Sequence, residues 1–223
     1  GNDGFRELLS RLLKWRVGIR WYAVALLTTP LLVISILLAL SLISPIFLPD
    51  IVTTADKPGL ILLGLGVGLI EGGFMEELGW TGFATPELRR RYSVVESGLI
   101  VGTLHTVWHF LPTFWGSGNS TGALDLLLFL PPCLFYIGVL PAYRILMVWV
   151  YDRTGSLLVA MLMHASLSAS TLFILMPAAR GISLIIYYFI LTVAMWVVVA
   201  MAPVTSRGQP SRQSLRKNVA RPF

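Results

Sequence analysis

The sequence predicts an all-α, polytopic membrane protein, a bundle of about six transmembrane helices with its polar chemistry held between them. Three observations predict it. Only 13% of the residues are charged and 56% are hydrophobic, whereas a soluble domain carries about 25% charged residues. Six apolar runs reach the ~20 residues that a spanning helix needs, and none shows the ~10-residue alternation of an outer-membrane barrel strand. The basic clusters all fall on one side of a six-span thread.

The elements follow in order. Over residues 5–20, Phe5, Leu8, Leu9, Leu12 and Leu13 recur at helical spacing, with Arg6, Arg11 and Lys14 elsewhere on the wheel. Residues 1–20 are therefore expected to form an amphipathic juxtamembrane helix on an anionic bilayer surface, or else a plain linker. The chain starts at Gly1 and not at Met, so it is expected to be a fragment or a processed form. The transmembrane domain is placed at 21–202, with spans at about 21–48, 59–80, 97–115, 124–150, 156–176 and 182–202. The fourth contains Pro131, Pro132 and Pro141 and should kink or split. Residues 203–223 are polar and basic, and are expected to be a flexible cytoplasmic tail.

Orientation follows from the connections. The N-terminal segment, the Arg89, Arg90 and Arg91 run, Arg153 and the basic tail share one side, while the other side holds only Lys57 and Arg180. The first side is cytoplasmic by the positive-inside rule. The basic residues do not gather on one face, so the net charge of +6 points to the lipid bilayer as partner and away from nucleic acid. The single cysteine, Cys133, excludes an internal disulfide.

Ionisable groups inside spans are expensive, and chains keep them where they face a cavity or a partner. Span two holds Glu71, Glu76 and Glu77, span three holds His105 and His109, and span five holds His164. A proton-handling or metal-handling site between these helices is the first expectation. Adjacent residues point about 100° apart on a helix, so Glu76 and Glu77 must take different tasks, one turned to a cavity and one bracing a neighbour. His105 and His109, four apart, share a face. A carboxylate and an imidazole in a poorly hydrated pocket can activate one water, and a further imidazole can donate to a developing oxyanion. The plainer alternative is that these groups are interhelical hydrogen-bonding glue. Glu71 is expected to be structural or a cavity liner, Arg144 to snorkel at a cytoplasmic span end, and Asp125 to cap its helix. The glycines at 64, 66 and 68 are helix-packing material, since no Lys or Ser/Thr follows at phosphate-loop spacing.

Three stretches carry a resemblance. They are Glu76-Glu77-Leu78-Gly79-Trp80-Thr81-Gly82 with Pro86-Glu87-Leu88-Arg89-Arg90-Arg91-Tyr92, then Trp108-His109-Phe110-Leu111-Pro112, then His164-Ala165-Ser166-Leu167-Ser168. In order and spacing they resemble the CPBP family of CAAX prenyl endopeptidases and bacteriocin-processing enzymes, also called Abi, with its Glu-Glu-x-x-x-Arg, Phe-x-x-x-His and His-x-x-x-Asn motifs. The resemblance implies intramembrane peptide hydrolysis of a membrane-associated polypeptide. Glu76 would activate water with His109, Glu77 would position the site, and His164 would line the oxyanion side or complete the polar site. His105, Ser168 and Thr81 would contact substrate. Family members are discussed as metal-dependent and as metal-independent. A metal such as zinc would take Glu76, His109 and His164.

Three residues depart from the pattern. Thr81 stands for Arg, His105 for Phe and Ser168 for Asn. Without the Arg, Glu77 is expected to be protonated or paired with Arg89, Arg90 or Arg91. The rival expectations are a catalytically degenerate membrane interaction or bacteriocin-immunity protein on the same fold, and a proton-coupled transporter. The bacterial cytoplasmic membrane is the expected location, with both chain ends cytoplasmic.

Overall fold

The computed structural model describes residues 2–119 and 121–204, and among these no strand forms. A short helix, α1 (Asn2–Leu12), precedes six helices long and apolar enough to cross a membrane. They are α2 (Ile19–Ser41), α3 (Lys57–Arg89), α4 (Val94–Gly116), α5 (Leu126–Thr154), α6 (Leu157–Ile174) and α7 (Gly181–Met201). The protein is an integral membrane helix bundle. The tail expected beyond residue 204 lies outside the described residues.

The first span is shorter than the apolar run suggested. It ends at Ser41, and Pro45–Phe47 turns the chain into a one-turn helix at Asp50–Thr53, because proline restricts the backbone of the residue before it. The second span is longer, running on to Arg89. The prolines of α5 do not split it. The helix instead takes one wide, π-type turn at Phe135–Val139, between Pro132 and Pro141. Helix starts follow local chemistry. Ser93 and Glu96 form a capping box at α4, Asp125 caps α5 through the Leu127 amide, and Ser156 caps α6 through the Val159 amide. Each satisfies an orphan N–H of a first turn.

Helix α6 is the most enclosed span. Around its Met163, α2, α5 and α7 contribute Leu37, Tyr143, Met147, Tyr187, Leu191 and Met195, all of these 1% exposed or less. Leu31, Leu62, Ile186 and Val197 point outward, the apolar coat expected where the outer solvent is lipid. Two glycine seams set the distances that matter for the site. A Cβ added at Gly98 would lie 2.5 Å from the Ile145 Cα, and one at Gly102 would lie 2.5 Å from the Pro141 Cα. The backbones of α4 and α5 therefore touch, as small-xxx-small helix pairs do. On the other side, a Cβ at Gly68 would meet the Ala165 carbonyl oxygen at 2.8 Å, so α3 also lies close on α6.

Candidate active site

Between these seams lies a cavity of about 230 Å³, lined by Glu71, Gly72, Glu76, His105, His109, Tyr136, His164 and Ser168 among others. Its carboxylates come from a stretch of α3 wound as a π-helix, Gly68–Glu76. The i→i+5 bonding of such turns brings residues five apart nearer to one face, and π-turns cluster at functional sites. That winding turns both Glu71 and Glu76 toward the cavity.

The two adjacent glutamates separate as helix geometry requires. Glu76 faces the cavity. Its Oε2 lies 2.7 Å from His105 Nε2 and 3.9 Å from His164 Nε2, and its Oε1 lies 3.9 Å from His109 Nε2. Three imidazoles from two helices thus face one carboxylate. Glu77 is fully buried behind it. It accepts from Arg144 Nη1 at 2.6 Å, from His164 Nδ1 at 2.7 Å and from the Thr81 hydroxyl at 2.5 Å. These three donors neutralise and solvate a carboxylate that would otherwise be costly to bury.

Arg144 corrects two sequence-based expectations. It does not snorkel. It is 1% exposed and lies inside the bundle, joining Glu77 to His105, whose Nδ1 receives Arg144 Nε at 3.0 Å and Nη2 at 2.7 Å. The cation for Glu77 is therefore Arg144 and not the Arg89 to Arg91 run. Arg89 pairs with Asp152 at 2.6 Å and also meets the Tyr92 carbonyl, while Arg90 pairs with Glu87 at 3.1 Å. The Thr81 side chain is directed at Glu77, and Thr81 does not line the cavity, whereas His105 and Ser168 do. His109 stacks on the Tyr136 ring at 4.4 Å and is 3.0 Å from His105 Nε2.

The residues whose ligand atoms come together closely enough for a metal ion are Glu76, His105 and His164, within 4.8 Å of one another. This set has His105 in place of His109. The arrangement does not fit a divalent ion. A ligating imidazole needs a lone pair on one nitrogen and normally gives its other N–H to an acceptor. His105 Nδ1 accepts from a guanidinium, which can only donate, so the ring proton sits on Nε2, the atom turned to Glu76. No step is therefore routed through a metal.

Arg144 was missed because position along a span says nothing about which way a long side chain turns. The glycine seam beside it was readable as Gly98-Leu99-Ile100-Val101-Gly102.

The sequence pattern of the family described as Type II CAAX prenyl endopeptidase Rce1-like matches residues 57–170 of this chain. That stretch holds every side chain of the cavity discussed above. No curated protein matches the chain.

Proposed function

We infer the reaction from one premise: this chain belongs to the Rce1-like family of type II CAAX prenyl endopeptidases, within the CPBP group. We propose that it is an intramembrane endopeptidase that hydrolyses a peptide bond near the prenylated end of a membrane-associated polypeptide. The observation that carries the reading is the carboxylate of Glu76, set in a small cavity among apolar helices and faced by His105, His109 and His164.

The 3.9 Å between Glu76 Oε1 and His109 Nε2 suits two groups that share one water. Glu76 takes a proton from that water, and the oxygen adds to the scissile carbonyl carbon. The tetrahedral adduct collapses, the C–N bond breaks, and the proton on Glu76 passes to the leaving nitrogen. Glu77 does not touch the cavity and acts by positioning. It holds His164 by Nδ1–H, so that His164 turns its Nε2 to the site. Ser168 lies on the wall where a substrate backbone would pass. On this reading the six spans, an even number, put the first and last described helices' outer ends on one side, which the positive-inside rule makes the cytoplasmic side of a bacterial membrane.

The degenerate reading drew its force from Thr81 in place of an arginine. Arg144 supplies a guanidinium to Glu77 from another helix, which removes that argument. The test is cleavage of a prenylated CAAX peptide by the purified protein in detergent. The reading expects cleavage that persists under chelation and disappears in Glu76→Ala and in His109→Ala. A folded wild-type protein that cleaves no prenylated peptide would count against it.

A further inference from the structure

The guanidinium of Arg144 sits where two hydrogen-bond chains begin. One chain runs from Arg144 Nε and Nη2 to His105 Nδ1, at 3.0 and 2.7 Å, and on from His105 Nε2 to His109 Nε2 at 3.0 Å, with Glu76 Oε2 lying 2.7 Å from the same His105 nitrogen. The other runs from Arg144 Nη1 to Glu77 Oε1 at 2.6 Å, and from that oxygen to His164 Nδ1 at 2.7 Å. His164 Nε2 then faces Glu76 Oε2 from 3.9 Å.

We propose that Arg144 is a positioning residue that locks the site's imidazoles into opposite tautomers, leaving His105 as the hydrogen-bond donor of the cavity and His164 as an acceptor. The logic is donor counting. A guanidinium has five N–H donors and no acceptor, so His105 Nδ1 offers its lone pair and the proton stays on Nε2. A carboxylate that already takes Arg144 and Thr81 accepts again at His164, so His164 carries its proton on Nδ1 and turns a lone pair inward. His109 follows. Its Nε2 lies 3.0 Å from His105 Nε2. One of two facing nitrogens must accept, so His109 is the Nδ1–H form.

All four groups are held rigidly. His105, Glu77 and Arg144 are 1% exposed or less and His164 is 4% exposed. Trp80 closes over this group, its ring centroid 5.2 Å from that of His105 and 6.0 Å from the Arg144 carbon. Neither Arg144 nor Glu77 lines the cavity, so the Nδ1 partners of both rings lie away from the cavity's water.

The chemical consequence rests on the peptidase reading. A carbonyl oxygen gains negative charge as water adds, and it needs a fixed donor. In this site the donor is His105 Nε2–H, which the incoming oxygen takes over from His109 Nε2, while His164 shapes the site and can only accept. Arg144 touches neither substrate nor water and acts through His105.

The chain has three histidines, so ¹⁵N-histidine NMR of the full protein in detergent micelles reads the proposal without any substrate. Single His→Gln variants assign the rings. The expected wild-type pattern is His105 protonated on Nε2 only, with His109 and His164 protonated on Nδ1 only. In Arg144→Met the His105 pattern should change to a mixture of tautomers, while His164, still held by Glu77, keeps its Nδ1 proton. A merely structural role for Arg144 would disturb all three rings together or none. Wild-type His105 protonated on Nδ1 overturns the proposal, as does a folded Arg144→Met protein with an unchanged His105. If Arg144→Met does not fold, the wild-type tautomers decide alone. If they are as expected but no prenylated peptide is cleaved, the peptidase reading fails and the tautomer lock stands.

Discussion

Arg144 and Glu77, 67 positions apart in the chain, meet at 2.6 Å inside the bundle with neither side chain more than 1% exposed. Breaking a buried pair by removing one partner typically costs about 3–5 kcal/mol, because the other charge is left uncompensated. Arg144→Met is therefore expected to lower thermal stability in detergent markedly. The double variant Arg144→Met with Glu77→Gln should recover part of that loss, which a double-mutant cycle measures.

The cavity carboxylate should separate from the buried one in the same assay. Glu76→Gln keeps volume and hydrogen-bonding reach but cannot take a proton from water. It is expected to lose roughly 10²–10⁴-fold in cleavage rate, the range general-base groups contribute, with the unfolding temperature little changed. A parallel fall in stability would place Glu76 with Glu77 as a structural group.

The seam between α4 and α5 gives a prediction about packing. Gly102→Ala puts a methyl 2.5 Å from the Pro141 Cα, where backbone must move. Overpacking of this kind costs about 1–3 kcal/mol. Gly116→Ala, on the same helix with nothing within 4 Å, is the control and should be neutral. Equal unfolding temperatures for the two would contradict the close approach.

Gly72 tests the wall of the cavity. An added Cβ would come within 2.9 Å of Ser168 Oγ and 3.2 Å of His164 Nε2. Both are side-chain atoms, so the crowding falls on the site and not on a neighbouring helix backbone. Gly72→Ala should therefore reduce cleavage at least tenfold by displacing His164, while the bundle stays folded by circular dichroism.

The donor set makes a prediction about metals. With His105 Nε2 holding its proton, cleavage by protein treated with a chelator should equal that of untreated protein. Isothermal titration of the chelator-treated protein with zinc should show no binding that depends on His105. Strong binding lost in His105→Gln would mean that Arg144 yields its contact.

Much of this was legible in the sequence, and for a physical reason. Carboxylates and imidazoles are rare in apolar spans, so Glu76, Glu77, His105, His109 and His164 stood out, and their helices were readable from run length. The capping role of Asp125 could be read from its place before an apolar run. Arg144 was misread because the cue used was its distance from a span end. Its partners Glu77 and His105 lie on other helices, and nothing local marks them. The wide turns at Gly68–Glu76 and Phe135–Val139 were also invisible, since a helix that gains a residue per turn keeps the same apolar composition.

The pairing of Glu77 with Arg144 also has an order in time. Synthesis runs from the N-terminus, so α3 is made well before α5. A lone ionised side chain at a helix centre costs about 2.5–3.5 kcal/mol on insertion scales. During that interval the Thr81 hydroxyl, one turn along the same helix, is the side-chain donor Glu77 already has. The acidic span is thus born incomplete, and the arrival of the fifth helix both neutralises it and draws the bundle shut around the site.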